Sequence, residues 1–85
     1  MNTMTFGKAV EALKVGDQVR RRGWNGVGIF LDLHIPGHNV SEVMTHPYIY
    51  IDTTELKTDN PDALKERVPW LASQIDVLAE DWEIV

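Results

Sequence analysis

The stretch that decides the fold is QVRRRGWNGVGIFLDLHI, residues 18–35. Asn25-Gly26 at its centre is the strongest short hairpin signal, because a type I′ turn needs positive φ at both central residues. The stretch therefore predicts two antiparallel strands, at about residues 18–23 and 27–35, joined by a two-residue turn. The second strand alternates with a period of two. Its two faces are formed by Val27, Ile29, Leu31, Leu33 and Ile35 and by Gly28, Phe30, Asp32 and His34.

The segment before this hairpin, TFGKAVEALKVGD, predicts an amphipathic helix. Thr5 is a suitable N-cap, and Gly16 is a suitable residue to end the helix. The apolar face follows the i, i+3, i+4, i+7 spacing of one side of a helix and consists of Phe6, Ala9, Val10 and Leu13.

The segments after the hairpin complete the fold class. YIYID (48–52) predicts a third strand with Ile49 and Ile51 inward, or the reverse, and the polar residues 53–69 predict a surface loop. In SQID, Ser73 and Asp76 have the spacing of a capping box, so a short helix is expected there, and WEIV (82–85) has strand character. We therefore expect one domain, residues 1–85, of the α+β class: a small antiparallel sheet with an N-terminal helix and a short C-terminal helix.

The composition excludes several classes of protein. The chain has 85 residues, a net charge of −5 and no cysteine. A core this thin, without disulfides, favours self-association, so we expect a homo-oligomer. No run approaches the roughly 20 apolar residues of a membrane span, and no basic leader is present, so we expect a cytoplasmic protein that does not bind membranes. The acidic total also argues against nucleic acid as a partner, whereas a local basic cluster can still bind a small anion.

The basic cluster is RRRGWNG, residues 20–26. A run of charges is most often solvated, and Trp24 could simply cover the end of the hairpin. Strand alternation, however, sends Arg20 and Arg22 to one face and Arg21 to the other, so at most two guanidinium groups converge beside Trp24. Such a corner offers bidentate contacts for phosphates and a flat surface for a nucleobase.

The second candidate region is PWLASQID, residues 69–76. A buried Trp70 and an ordinary N-cap at Ser73 explain it in structural terms. The functional alternative is that Ser73, Gln74 and Asp76 supply hydroxyl, amide and carboxylate groups at the start of a helix, where they suit a ribose or a base edge.

Other chemistry has weaker support. His34 and His38 are four residues apart, but Pro36 and Gly37 prevent a helix, and with His46 they are expected to be ordinary surface histidines rather than metal ligands. We find no nucleophile with a glycine-rich context and no phosphate-binding glycine loop, so we expect no catalytic residue and no cofactor. Tyr48 and Tyr50 share one strand face, which is either packed or an interface between copies.

Three motifs in order resemble a phage-associated family of small domains that includes the Thoeris anti-defense proteins, which are cyclic-nucleotide sponges. They are a helix of the type FG-A-EALK-G, the GWNG hairpin, and a terminal W-ASQ-D-LAEDW block, and they cover roughly residues 5–33 and 68–85.

This resemblance implies a non-catalytic homo-oligomer, dimeric or hexameric, in the cytoplasm of an infected bacterial host. Its pockets between subunits would sequester cyclic ADP-ribose isomers, with cyclic di- or trinucleotides as further ligands. The alternatives are a structural or protein-interaction domain of phage origin and a nucleotide hydrolase. The ligand-binding residues that the resemblance implies are Arg21, Arg22, Trp24, Asn25, Trp70, Ser73, Gln74 and Asp76.

Overall fold

The computed structural model describes residues 3–24, 26–37 and 42–85. Its helices and strands, in chain order, are α1 (Phe6–Lys14), β1 (Val19–Arg21), β2 (Phe30–His34), β3 (Tyr48–Asp52), β4 (Arg67–Pro69), α2 (Gln74–Leu78) and β5 (Trp82–Ile84). The predicted α+β class, with an antiparallel sheet, an N-terminal helix and a short C-terminal helix, is confirmed. Within the described ranges, no helix is long and apolar enough to cross a membrane.

Both ends of α1 lie where the sequence predicts. The Thr5 hydroxyl accepts a hydrogen bond from the backbone N–H of Lys8 at 3.3 Å, which satisfies one of the free donors at the first turn. After Lys14 the chain leaves the helix through Gly16, whose φ of 100° lies in the left-handed region that favours glycine.

The five strands form one antiparallel sheet in the order β4-β3-β2-β1-β5. The helix α1 contacts the central and β5 strands on one face, which we call the helix-covered face. The core lies there, and Ile49 and Ile51 pack against it, as one of the two predicted alternatives requires. Its buried apolar residues are Ala9, Ala12, Leu13, Val19, Leu31 and Trp82.

The opposite face of the sheet, which we call the outer face, includes Tyr48, Tyr50, Asp52 and Arg67. The phenol ring of Tyr48 lies 6.4 Å from that of Tyr50, measured between centroids, so the two tyrosines share this face as predicted. Phe30 is also buried on this face, because its position in β2 alternates with that of the core residue Leu31.

The hairpin between β1 and β2 departs from the prediction. The two strands pair, with Val19 opposite Leu31, but they are shorter than residues 18–23 and 27–35, and the connection is longer than two residues. A two-residue turn at Asn25-Gly26 would place Val19 opposite Asp32 and not opposite Leu31, so the predicted type I′ turn is wrong.

The physical reason for this departure is a contact with a distant segment. A Cβ atom at Gly28 would collide with the backbone carbonyl of Glu55, and the Lys57 N–H donates to the Val27 carbonyl at 2.9 Å. The residues after the turn therefore pack on the 53–57 loop instead of extending the β1–β2 ladder.

A second departure is β4, which lies in the segment predicted to be a loop. Val68 lies opposite Ile51, and Arg67 lies opposite Asp52. Pro69 is tolerated because β4 is an edge strand, where a missing N–H does not interrupt a ladder. The C-terminal predictions are confirmed, because Ser73 caps α2 and Trp82 begins β5.

Candidate functional site

The structure describes seven of the eight predicted ligand-binding residues, and the eighth, Asn25, lies outside the described residues. Most of the seven lie around Trp82, although the hairpin and α2 are separated by about fifty residues of sequence. Arg22 is the exception, because it lies on the outer face and contacts Glu83.

Arg21 lies at the centre of this arrangement. Its Nε donates to Asp81 at 2.8 Å, and its Nη1 donates to Asp76 at 2.9 Å. These hydrogen bonds, with that to Asp81 the stronger, raise the pKa of Arg21 above its usual value. The Arg21 side chain is only 19% exposed. We call Arg21, Ser73, Asp76 and Asp81 the Arg21 cluster.

Asp76 is engaged through both carboxylate oxygens. One oxygen accepts from Arg21, and the other accepts from the Ser73 hydroxyl at 2.8 Å. Burial alone would raise the pKa of Asp76, but the hydrogen bonds from Arg21 and Ser73 outweigh it and lower this pKa. The Ser73 hydroxyl also accepts from the Asp76 N–H at 3.1 Å, so the predicted capping of α2 is present.

Asp81 completes the cluster from the loop before β5. Its second carboxylate oxygen accepts from the backbone N–H of Gly23 at 2.9 Å. The hydrogen bond from Arg21 is the main reason that the pKa of Asp81 is lowered, with the Gly23 N–H adding to it. The cluster thus ties the hairpin to α2 and to β5.

Two half-buried indole rings flank the fully buried Trp82. The ring centroids of Trp24 and Trp82 are 5.5 Å apart, and those of Trp70 and Trp82 are 6.0 Å apart, both in edge-to-face geometry. The Trp82 Nε1 donates to the backbone carbonyl of Asp76 at 2.9 Å. Trp24 and Trp70 therefore have fixed orientations and still present part of their surface, which is what stacking on a flat ligand requires.

The remaining predicted residues present polar groups at the surface. Gln74 is exposed in the first turn of α2. Arg22 donates to Glu83 at 3.3 Å on the outer face, and Arg20 donates to the same carboxylate at 2.9 Å, so the predicted alternation of the three arginines is confirmed. As a result, Arg21 and Arg22 do not converge.

The sequence reasoning missed a second cluster on the outer face. Asp52 is nearly buried and accepts hydrogen bonds from the Thr54 hydroxyl and from the Nε of Arg67, the latter at 2.7 Å. We call Asp52, Thr54 and Arg67 the Arg67 cluster. It borders a concavity of about 620 Å³ that Tyr48 and Tyr50 also line. The sequence signal for this cluster was that Tyr50 and Asp52 lie two positions apart and therefore share a strand face. Arg67 could not be assigned to that face because its segment was predicted to be a loop and not a strand.

The histidines give no indication of a metal site in the described part of the chain. His34 lies 3.2 Å from a carboxylate oxygen of Glu42, and its ring packs beside Tyr48. His38 lies outside the described residues. Among the residues that the structure describes, no group of three or more metal-ligating side chains comes together.

Comparison with known proteins finds similarity over nearly the whole chain. A family model described as the Thoeris anti-defense 2-like domain matches residues 4–85, which include both the hairpin and the α2 region. The chain is also 39% identical over 93 residues to Thoeris anti-defense 2 of Bacillus phage SP01. That alignment covers 96% of this chain and 94% of the relative.

Proposed function

Because the chain belongs to the Thoeris anti-defense 2-like family, we propose that it blocks Thoeris defence by binding and sequestering a cyclic nucleotide signal without converting it. Family membership supports a phage role directed against Thoeris defence. The nature of the ligand, a cyclic ADP-ribose isomer with cyclic di- or trinucleotides as further candidates, is our proposal. So is the place of action, the cytoplasm of the infected host.

The observation that supports this proposal most strongly is the joining of two distant motifs at one surface. Arg21 and Trp24 come from the hairpin, whereas Ser73, Gln74 and Asp76 come from the α2 region, and the Arg21–Asp76 ion pair fixes the two motifs together. Half-exposed rings held by packing lose little conformational freedom when a flat ligand binds, so they favour affinity.

The geometry changes the roles that we assign within this set. Arg21 faces two carboxylates, so the local sum of the three charges is negative and the cluster by itself is unsuited to a phosphate. We therefore assign Arg21 and Asp76 to positioning. The groups proposed to touch the ligand are the rings of Trp24 and Trp70 and the amide of Gln74, with Asn25 retained from the sequence.

Phosphate neutralisation then needs a cation from elsewhere. Arg22 is the exposed arginine beside the hairpin, but it lies on the other face of its own sheet. In a homo-oligomer, dimeric or hexameric as the resemblance implies, a guanidinium of one copy can reach a ligand on its neighbour. The ligand pocket is accordingly proposed to lie between subunits.

The hydrolase alternative is less well supported by the site. Ser73 donates its proton to Asp76, which is the arrangement of a nucleophile beside a base. However, the other oxygen of Asp76 accepts from Arg21, and the hydrogen bonds from Arg21 and Ser73 lower the pKa of this carboxyl, which makes the carboxylate a weaker base for such a step. Binding without turnover is the better match.

Native mass spectrometry with a panel of cyclic ADP-ribose isomers and cyclic dinucleotides tests this proposal. We expect a bound mass with at least one of them and recovery of the same mass after heat denaturation. Recovery of an altered nucleotide would instead support the hydrolase, and absence of binding to every nucleotide would overturn sequestration.

Variants locate the ligand on one surface. Trp24→Ala and the exposed Gln74→Ala should each weaken binding, whereas Tyr48→Ala removes a ring from the outer face and should leave binding intact. A structural or protein-interaction domain predicts a different result: a protein partner whose binding persists when Trp24 and Arg22 are both replaced by alanine.

A further inference from the structure

The turn that carries Trp24 is held by a residue from the other end of the sequence. The chain leaves β1 after Arg21, and the Trp24 N–H donates to the Arg21 carbonyl at 3.2 Å, which closes a turn over residues 21–24. We call these residues the Trp24 turn. Asp81 lies directly before β5, the strand that pairs with β1, and is therefore placed beside this turn.

Asp81 binds the Trp24 turn through its backbone and through both oxygens of its side chain. The Asp81 carbonyl accepts from the Arg22 N–H at 2.9 Å. One carboxylate oxygen accepts from the Nε of Arg21 at 2.8 Å, and the other accepts from the Gly23 N–H at 2.9 Å. A Cβ atom at Gly23 would lie only 3.0 Å from the second oxygen, so glycine allows the carboxylate to approach the backbone directly before Trp24.

The ring of Trp24 is supported by the residue that follows Asp81. Its indole packs on Trp82 with the ring planes at 77° and the centroids 5.5 Å apart. Trp82 is fully buried, so it provides a fixed support, whereas Trp24 is half-buried and keeps part of its ring at the surface. Two consecutive residues thus hold Trp24, one through the backbone of its turn and the other through its ring.

We propose that Asp81 is a positioning residue for ligand binding, which fixes the Trp24 ring for stacking by holding the Trp24 turn. This inference rests on the proposed function, in which Trp24 stacks on a flat part of a cyclic nucleotide. Both carboxylate oxygens of Asp81 are occupied within the chain, so Asp81 acts through Trp24 and not by touching the ligand. A ring that is already ordered in the free protein loses less conformational freedom when the ligand arrives.

Asp52 on the outer face provides a matched control for Asp81. It also accepts from an arginine Nε, that of Arg67 at 2.7 Å, and from a backbone N–H, that of Thr54 at 2.8 Å. These partners belong to β4 and to the loop after β3, and not to the Trp24 turn. Removal of the Asp52 carboxylate therefore deletes the same kinds of hydrogen bond without releasing Trp24.

Fluorine NMR of protein labelled with fluorotryptophan tests the positioning without any ligand. The chain has three tryptophans, so three lines are expected, and Trp24→Phe assigns the line of Trp24. Asp81→Ala should move this line toward the position of fluorotryptophan in an unfolded chain, whereas Asp52→Ala should leave it in place. The line of Trp82, whose ring is fully buried, reports the folded population in the same spectra.

The conservative variant separates the two side-chain hydrogen bonds of Asp81. Asp81→Asn loses the charge that pairs with Arg21 but keeps one side-chain oxygen, which can still accept from the Gly23 N–H. It should therefore lose stability and keep the Trp24 line near its wild-type position. Should Asp81→Ala fail to fold, Asp81→Glu takes its place, because the longer side chain retains the charge, displaces the oxygens from Gly23 and should also move the Trp24 line.

Calorimetry with cyclic ADP-ribose isomers gives the second readout. Asp81→Ala should weaken the affinity by about 5-fold, because the Trp24 ring must then be ordered during binding. In a chain that already carries Trp24→Ala, the same change should have no further effect, since no ring is left to position. Asp52→Ala should leave the affinity unchanged, although it also removes a hydrogen-bonded carboxylate.

Two results would overturn the inference. One is a Trp24 line that stays at its wild-type position in folded Asp81→Ala. The other is a loss of affinity that is equal with and without the Trp24 ring, which would indicate a general effect on the fold. If the wild-type protein bound no nucleotide at all, the proposed function would fail, and the fluorine spectra would still decide whether Asp81 positions Trp24.

Discussion

The Arg21 cluster and the Arg67 cluster contain the same chemical groups in opposite arrangements. Each joins an arginine Nε to a carboxylate, and each contains a hydroxyl that donates to an aspartate. In the Arg67 cluster the carboxylate is nearly buried and the arginine is 63% exposed. In the Arg21 cluster the arginine itself is mostly enclosed, between two carboxylates.

This difference shows that an arginine beside a tryptophan is not by itself a site for an anion. Arg21 stands in the run that drew attention in the sequence, yet its donors are directed at Asp76 and Asp81, so it connects three segments of the fold. Arg67 stands in a polar segment without any motif, and its guanidinium remains accessible beside a concavity. Accessibility of the donors, rather than local composition, separates a structural arginine from one available to a ligand.

The largest effect is expected from removal of the indole ring of Trp82, around which the helix-covered face packs. Trp82→Ala should cost about 3 to 5 kcal/mol, because it leaves a cavity in contact with Phe6, Trp24 and Trp70 and removes the hydrogen bond to Asp76. A loss of this size is a large fraction of the total stability of a small domain. Urea denaturation followed by tryptophan fluorescence measures it.

Tyr48→Ala is the matched change on the outer face. The tyrosine is only half-buried, so we expect a loss of about 1 kcal/mol. If Tyr48→Ala proved as costly as Trp82→Ala, the two faces would contribute equally to stability and the comparison would fail.

The next test removes one arginine from each cluster. Arg21→Met should cost roughly 2 kcal/mol, because it leaves two partly buried carboxylates close together without a cation. Arg67→Met should have a smaller effect, because its guanidinium is mostly in water and Asp52 keeps its hydrogen bonds from Thr54. Thermal denaturation of the two variants side by side ranks them, and the reverse order would contradict the assignment of Arg21 to structure.

The sequence was sufficient to predict elements whose signals are local. Thr5 caps the N-terminus of α1, and Gly16 with its positive φ follows the end of this helix. Ser73 caps α2 through its hydroxyl. The period of two in YIYID also predicts β3 correctly. Each of these features depends on residues within a few positions of one another, where backbone chemistry dominates.

The errors arise where a distant segment decides the local structure. The two-residue turn at Asn25-Gly26 was wrong because Gly28 packs on the Glu55 carbonyl, a contact that no pattern within the hairpin contains. The strand β4 was missed because its residues are polar and include Pro69, and only pairing with β3 makes them extended. The Arg67 cluster follows from that pairing, so it was missed with the strand.

The third test is the loss of stability in acid. This loss should be smaller than that caused by removal of Arg21, because protonation of Asp76 and Asp81 weakens the same ion pairs but leaves the arginine side chain in place. The pKa values of Asp76 and Asp81 are lower in the folded state than the unfolded value of about 3.9. The folded state therefore binds fewer protons, so the stabilisation is complete above that value and is lost as the pH falls through the folded pKa values.

Urea midpoints between neutral pH and the acid range check this dependence. The wild type should lose stability on acidification more steeply than Arg21→Met, in which the lowered pKa values of Asp76 and Asp81 lose their main partner. Arg67→Met leaves the Arg21 cluster intact, so it should retain the part of the pH dependence of stability that Asp76 and Asp81 contribute. Equal slopes for the wild type and Arg21→Met would show that this cluster does not contribute to acid sensitivity.

The smallest test separates capping from ligand contact at Ser73. Ser73→Ala should cost about 1 kcal/mol, because it removes the acceptor of the Asp76 N–H and the donor to the Asp76 carboxylate. Ser73→Thr retains a hydroxyl at the N-cap and should recover most of that stability. If Ser73→Thr is as stable as the wild type and still binds the nucleotide, the ligand leaves room for an extra methyl group at this position, as expected of a residue whose hydroxyl acts through Asp76. If it is stable but binding is lost, the methyl group intrudes on the ligand, and Ser73 lines the pocket.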